Sequence, residues 1–380
     1  EIAPSDWSSD VCSSDLALFF YAYGGADMTG KKEFMISEGI DGEIIIGGIR
    51  DFNLMHIFEC GQCFRFNKEE NDGSYTGTAF GRVINVEFEK TCSCDRLNNR
   101  RRICTGRRDG CTGGKLIIRN SSCRDVEKIW IPFFDLGRDY GKIKHDLIKN
   151  DENLAGAVEF GCGIRILKQD PWETIISFII SQNNNIPRIK KCIESIADNF
   201  GKFAGEYNGQ KFNSLPAPEE LAKLSIEDLS VCRMGYRAKY LIETAKKITF
   251  DGIQHLYSMA GKSIESSAHA RIEDTNSGEA GLAPGGAASE EAGSNGARDE
   301  LADYIMSLSG VGPKVANCIL LFSMGQYDRF PIDVWMRRAM AELYDIDETD
   351  DTAMQKIAEE EYGEVRGIVQ QYIFYYMRNR

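Results

Sequence analysis

Two glycines and a proline within four residues, Gly310-Val311-Gly312-Pro313, constrain this chain more tightly than any other segment. Ahead of them runs an apolar stripe at helical spacing, Leu301, Tyr304, Ile305 and Leu308, and behind them Lys314-Val315-Ala316 opens a second apolar run. Glycine lets a chain reverse sharply between two helices, and proline is pre-set for the first position of the next one. Backbone N–H groups in so tight a turn approach an anion closely, and the helix N-terminus behind them adds positive potential. The segment reads as a helix-hairpin-helix in which Gly310, Val311 and Gly312 hold a DNA phosphate without touching a base. By itself it suits an enzyme and a non-catalytic DNA-binding module about equally.

The rest of the 380-residue chain is long enough for two domains with their own cores. From Ile36 to Ile118 short β-branched runs alternate with glycine-rich turns: Glu43-Ile44-Ile45-Ile46, Arg82 to Phe88, and Lys115-Leu116-Ile117-Ile118. From about Lys142 the pattern becomes helical. Asp170-Pro171-Trp172-Glu173 places an N-cap, a first-turn proline and an acid at the third position, and Ile175, Ile176, Phe178 and Ile179 follow as a buried face. Further helices are predicted over about 185–200, 218–232, 236–249, 299–308, 313–324, 333–344, 352–362 and 365–378. The fold class is therefore α+β, a β-rich domain over 28–141 followed by an all-helical domain over 142–380. Residues 91–114, rich in Arg, Cys and Gly, read as an insertion in the first. Residues 261–297, rich in Gly, Ala, Ser and Glu without periodicity, read as a disordered insertion in the second.

The formal charge of −13 argues against a protein held on nucleic acid by bulk charge. Its distribution weakens that objection. Residues 1–27 carry five acids and no base, and 261–300 carry eight acids against three bases. Residues 1–16 resemble a translated sequencing adapter, so 1–27 is expected to be a non-native or disordered leader, with Met28 or Met35 as the start. No apolar run is long enough for a membrane-spanning helix, and acids rather than bases precede Leu16 to Tyr23, which rules out a secretory signal. Cys162, Cys192, Cys232 and Cys318 stand singly in apolar surroundings, as reduced thiols of a cytoplasmic protein do. In a bacterium that would mean association with the nucleoid.

Lys314 and Asp333 shift the balance toward an enzyme. A first-turn lysine, where helix dipole and partial burial disfavour the ammonium form, is a competent amine nucleophile. Phe330-Pro331-Ile332-Asp333-Val334 puts an acid at the next helix N-terminus. Taken singly, Asp333 is a plain N-cap and Lys314 a phosphate contact. Together with the hairpin they match the signature of helix-hairpin-helix base-excision DNA glycosylases, and further segments resemble the 8-oxoguanine DNA glycosylase family in particular. Gly61-Gln62-Cys63-Phe64-Arg65-Phe66 is similar to the family's Gly-Gln-Ser/Cys-Phe-Arg-Trp, and Ser181-Gln182-Asn183-Asn184-Asn185-Ile186-Pro187-Arg188 to its triple-Asn element. Gly235-Tyr236-Arg237-Ala238-Lys239-Tyr240 is similar to Gly-Tyr-Arg-Ala-Arg-Tyr.

The resemblance implies roles residue by residue. The Gly61 carbonyl accepts from N7–H of the lesion, Cys318 and Phe374 sandwich the flipped base, and Gln370 reads its Watson–Crick edge. Asn183, Arg188 and Arg237 engage the orphaned cytosine, and Tyr236 fills the gap. Lys314 attacks C1′, Asp333 supports the cationic sugar, and β-elimination follows, giving a bifunctional glycosylase and lyase. The partner is double-stranded DNA containing an oxidised purine, met by a monomer without cofactor or metal. Trp335 stands where animal members often have histidine, and takes no catalytic role.

Competing readings remain at this point. A glycosylase for alkylated purines would not need Lys314, and a non-catalytic protein that binds damaged DNA would form no covalent adduct. Cys92, Cys94, Cys104 and Cys111 could bind zinc, but their spacing is irregular and a basic loop against phosphates fits better. The Cys60-Gly61-Gln62-Cys63 pattern lacks a thioredoxin-like context. No cysteine follows Cys318, which excludes the iron–sulfur cluster of related glycosylases, and the four histidines are scattered.

Overall fold

A computed structural model describes residues 34–39, 42–90, 113–261 and 288–380, with the backbone alone for 288–295 and 297. The expected leader, Cys92, Cys94, Cys104, Cys111 and most of both insertions lie outside the described residues.

Six strands form an antiparallel sheet in the order β1-β2-β6-β5-β4-β3. They are β1 (Met35–Glu38), β2 (Ile44–Arg50), β3 (Phe66–Lys68), β4 (Tyr75–Ala79), β5 (Arg82–Lys90) and β6 (Gly113–Arg119). Alternation sets its inner face: Ile44 pairs with Ile118, Ile46 with Leu116, and Val86 with Ile118, all buried. Against that face packs α1 (Leu54–Phe58) and a helical stretch from Cys123 to Phe133 containing a π-turn at Val126–Trp130. Phe58, Phe66, Trp130, Phe133 and Phe134 fill the space between, with Phe58 stacked on Phe66 at 4.3 Å. β6 starts at Gly113, inside the segment expected to be an insertion, and helix begins well before Lys142.

The helical part is built around α3 (Pro171–Ser181), whose apolar residues are buried on every side. It is capped as its sequence requires, the Asp170 carboxylate accepting from Glu173 N at 2.9 Å. Around it lie α2 (Tyr140–Asn150), α4 (Ile186–Phe200), α5 (Arg237–Asp251), α6 (Ala288–Met306), α7 (Pro313–Ser323), α8 (Val334–Tyr344), α9 (Asp351–Tyr362) and α10 (Arg366–Asn379). Ile175, Ile176, Ile179, Leu241, Ile319 and Leu320 are among the side chains that meet there. Each such burial contributes about 1.5–3 kcal/mol.

Two helix expectations need correction. The stretch 218–232 is not one helix but a turn at Pro218–Leu221 and a 3-10 turn at Asp228–Cys232. Ser225 and Asp228 break it: Ser225 N and Oγ each donate to the Asp228 carboxylate at 2.8 Å, and Asp228 N donates to Ser225 Oγ at 3.1 Å. This reciprocal box starts a new turn instead of extending the old one. Helix α6 begins at Ala288, eleven residues before the expected 299 and inside the segment expected to be disordered. Ala288-Ser289-Glu290-Glu291-Ala292 is rich in helix formers, and lack of apolar periodicity is not lack of helix propensity.

The two cores meet along a polar seam centred on Arg165, which is 3% exposed. Its guanidinium donates to the carbonyls of Asp51 (3.1 Å), Asp135 (2.7 Å) and Arg50 (2.7 Å). Beside it the Asp135 carboxylate accepts from Arg138 Nε at 2.5 Å and Tyr140 Oη at 3.1 Å, with Lys168 Nζ at 3.5 Å. Burial pushes the Asp135 carboxyl up, but Arg138, Lys168 and Arg165 outweigh it and hold it at about 2. A carboxylate depressed in the folded state contributes stability above its unfolded pKa and loses it as pH falls through the folded one. Asp135→Asn is expected to lower the unfolding free energy by about 3–5 kcal/mol at neutral pH, because buried cations lose their counter-charge. In urea melts the gap to wild type should close between about pH 4 and pH 2. A gap that persists to pH 2 would show that the carboxylate does not hold the seam.

Candidate active site

The hairpin forms as the sequence requires. Gly310 takes φ +77°, and a Cβ there would lie 2.4 Å from Tyr240 Cδ2, so both backbone and space demand glycine. Gly312 is the N-cap of α7 and Pro313 its first residue. Of the three residues expected at a phosphate, Val311 is corrected: its N–H already donates to Leu308 O at 3.1 Å and its side chain is buried. The N–H groups of Gly310 and Gly312 donate to nothing among the described residues.

In the first turn of α7, Lys314 is half-buried with Nζ 5.8 Å from the Phe178 ring centroid. The Phe178 ring is supported by Phe322, stacked at 5.5 Å, and by Phe64 edge-on at 5.8 Å. Lys314 also acts on the Cys318 thiol one turn further along α7. Burial pushes that thiol up, Lys314 pulls it back by charge and hydrogen bond, and Asp333 adds a further upward push. The lysine, the cysteine and the aspartate thus form one electrostatic unit. Asp333 caps α8, its Oδ1 accepting from Met336 N at 2.9 Å. Its second carboxylate oxygen accepts nothing among the described residues. Val334 and Trp335, immediately after it, are exposed at 55% and 38%, and Arg338 lies 5.6 Å from the Trp335 ring.

Gly61 sits on a turn with φ +86°. A Cβ built on it would lie 3.4 Å from Phe374 Cε1, 3.0 Å from Arg378 Nη1 and 3.7 Å from Ile186 Cδ1. The carbonyls on either side of it are occupied: Gln371 Nε2 donates to Cys60 O at 2.8 Å, and Gln169 Nε2 to Gln62 O at 2.7 Å. The Gly61 carbonyl itself accepts no hydrogen bond among the described residues. Gln370, 5% exposed, keeps a buried Oε1 without a partner. An unpaired buried acceptor is costly, and its natural explanation is a group that arrives with the ligand.

A second cluster lies at the Asn loop. Asn183 adopts φ +46° and its Nδ2 donates to Tyr236 Oη at 3.4 Å. Asn185 caps α4 through Arg188 N at 3.0 Å, and Arg188 Nη2 donates to Arg233 O at 3.3 Å. Left-handed Arg233 and Gly235 turn the chain so that Tyr236 is half-exposed, its ring edge-on to Tyr240 at 5.6 Å. Arg237 departs from the expectation that it faces the orphaned base. It is 5% exposed and donates to the carbonyls of Gln182, Asn183 (3.0 Å) and Met234 (3.1 Å). In this structure it props the Asn loop from below by donating to three carbonyls that no other side chain reaches among the described residues.

Sequence reasoning missed Gln169, Gln371 and Arg378, which shape the Gly61 turn. A lone glutamine before an N-cap carries no signal. Arg378 was findable, lying one helical turn after Phe374 on the same face.

The chain matches two family descriptions in tandem: 8-oxoguanine DNA glycosylase, N-terminal domain, over residues 44–175, and HhH-GPD superfamily base excision DNA repair protein over 176–363. The solved structure of MBOgg1 in complex with a low affinity DNA ligand is 39% identical, with a TM-score of 0.72 over 91% of this chain and 99% of that one. The Clostridium acetobutylicum 8-oxoguanine glycosylase/lyase, solved with double-stranded DNA containing cytosine opposite 8-oxoguanine, is 34% identical. Its TM-score is 0.70 over 91% of this chain and 98% of that one. The probable N-glycosylase/DNA lyase of Methanothermobacter thermautotrophicus is 30% identical over 60% of this chain and 68% of its own length. Fold and site thus define a DNA-binding base-excision enzyme of the helix-hairpin-helix class. Within that class the chain belongs to the 8-oxoguanine DNA glycosylase family, the N-glycosylase/DNA lyases.

Gly310→Ala tests the hairpin. It is expected to strain the turn by about 1–2 kcal/mol before any clash with Tyr240 and to weaken binding to lesion-free duplex about tenfold. Thermal melts and fluorescence anisotropy measure the two effects. Wild-type affinity in a folded variant would rule out the hairpin as a DNA contact.

Proposed function

We propose that the protein excises 8-oxoguanine opposite cytosine and cleaves the resulting abasic strand through a lysine Schiff base. The observation that carries the reading is the Lys314–Cys318–Asp333 unit at the N-terminal end of α7, directly behind a phosphate-binding hairpin. The Lys314 amine attacks C1′ as the glycosidic bond breaks, and the base leaves with the bonding electrons. Asp333, its free oxygen unpaired, offsets the positive charge that develops on the sugar and serves as proton acceptor. The ammonium so formed loses a proton, its lone pair then breaks the C1′–O4′ bond to give an iminium as O4′ takes up a proton, and removal of a C2′ proton expels the 3′ phosphate by β-elimination.

Recognition rests on groups that lack partners in the free protein. The Gly61 carbonyl has an open lone pair for N7–H, which guanine does not carry, and Gln370 has an open amide oxygen for the Watson–Crick edge. Phe374 and Cys318 supply the two faces of the slot. Asn183 and Arg188 flank the half-exposed Tyr236, an arrangement suited to filling a vacated stack while holding cytosine by its edge. The reading includes action as a monomer. The seven described cysteines are unpaired, which supports a cytoplasmic setting.

Borohydride trapping on a duplex carrying 8-oxoguanine opposite cytosine is the direct test. Wild type should give a covalent adduct and Lys314→Gln none. Base release without an adduct would instead indicate attack by water. Asn183→Ala with Arg188→Ala should reduce the preference for cytosine over adenine opposite the lesion by about tenfold or more, as expected for lost edge contacts.

A further inference from the structure

Arg378 has no place in the chemistry above, yet its geometry is unusual. It lies on α10 one turn after Phe374, with its guanidinium carbon 5.3 Å from that ring centroid and 5.9 Å from the Tyr375 ring. Nη2 donates to the Glu59 carbonyl, on the approach to the Gly61 turn. Nη1 is shielded from solvent and has no hydrogen-bond partner. This same nitrogen lies 3.0 Å from the point a Gly61 Cβ would occupy. A buried N–H of a charged group left unpaired is destabilising, more so than a neutral one. The unpaired donor lies beside Gly61 and the Phe374 ring, at the edge of the slot in which the base is proposed to stack.

Helical spacing decides which end of the base it meets. Gln370 and Arg378 stand one turn to either side of Phe374 on one face of α10. A purine stacked on Phe374 with its Watson–Crick edge toward Gln370 must turn its imidazole end toward Gly61 and Arg378. At that end 8-oxoguanine carries N7–H and, next to it, the C8 carbonyl. With N7–H donating to the Gly61 carbonyl, the adjacent C8 oxygen is the acceptor presented to Nη1.

We propose that Arg378 is a specificity residue that donates from Nη1 to the C8 oxygen of the lesion, so that both atoms distinguishing 8-oxoguanine from guanine are read. The inference rests on the pocket assignment under Proposed function and adds a second recognition contact to it. The cation also faces the lesion's most electron-rich new atom, in a site where charge-assisted bonds are strong. Arg378 thereby couples lesion binding to the Glu59–Gly61 turn, since one guanidinium holds both.

The test uses the full chain with duplexes carrying 8-oxoguanine or 8-thioguanine opposite cytosine, and a third with a preformed abasic site. The thio analogue keeps N7–H but replaces the oxygen with a poor acceptor. Wild type should release 8-thioguanine about tenfold more slowly than 8-oxoguanine in single-turnover assays. In Arg378→Met, release of 8-oxoguanine should fall about tenfold to a hundredfold relative to nicking at the abasic site, and the oxo-to-thio ratio should approach one. Arg378→Lys, with one ammonium unable to serve Glu59 and the base together, should show a reduced ratio while avoiding loss of the cation. A ratio unchanged in both variants would overturn the contact, since sulfur's size would then explain the wild-type preference and Arg378 would be a positioning residue for the turn. Failure of wild type to release 8-oxoguanine at all, with trapping at the abasic site intact, would overturn the substrate reading and this inference with it.

Discussion

Two buried glutamines, a half-buried third and one buried arginine hold together what the rest of this protein depends on, the junction between the β-sheet core and the helical core. Gln62, fully buried, donates to the carbonyls of Ile57 and Arg165 and accepts from Leu167 N. Gln169 bridges Gln62 O to the end of α7, where its own N–H donates to Phe322 O at 2.9 Å. Gln371 fixes Cys60 O from α10, and Arg165 collects the carbonyls of the sheet's rim. Irregular backbone inside a protein must find partners for every polar group. Here side-chain amides supply them, so the 60–62 turn is rigid although it belongs to neither sheet nor helix. The Gly61 carbonyl stands out because the carbonyls on either side of it are satisfied.

The proposed catalytic unit follows a different logic, that of helix ends. Lys314 lies in the first turn of α7 and Asp333 caps α8, so each is placed by a feature its own neighbours dictate: Gly312-Pro313 in one case, an Asp before an apolar helix in the other. Tertiary packing then brings the two ends together around Cys318. Gly367 allows this approach, for a Cβ there would lie 2.6 Å from Leu321 Cδ1 and 2.7 Å from the carbonyls of Tyr327 and Arg329. The start of α10 can therefore lie close against the C-terminal end of α7.

How much was legible depends on the range of the interaction involved. Caps and turns were readable because their physics is local. Asp170 caps α3, Pro313 opens α7, and Gly310 needs a positive φ, all as the residues alone imply. The Ser225–Asp228 box was equally local and went unread inside a longer helical pattern. The early start of α6 went unread because propensity without an apolar stripe looks like disorder. Arg237 shows the limit of reading by resemblance: the motif supplied a role, while burial beneath the Asn loop gave the side chain three carbonyls to satisfy. Val311 shows the same limit on a smaller scale, its N–H being consumed by the turn that places it.

By itself the sequence determined the division into a β-rich and a helical part, most of the helix starts and the hairpin, and it singled out Lys314 and Asp333 as candidates, since these rest on spacing, capping and backbone conformation within a few residues. It did not show the strand pair Phe203–Tyr207 and Gln210–Asn213 inside the helical part. Which groups face one another was decided only in three dimensions. Gly61 and Arg378 are separated by more than three hundred residues, yet they lie side by side because the junction and α10 pack as one body. No local pattern marks such a meeting. An unpaired donor, an open carbonyl and a bare glycine acquire meaning only when the surrounding core has excluded water and left them without other partners.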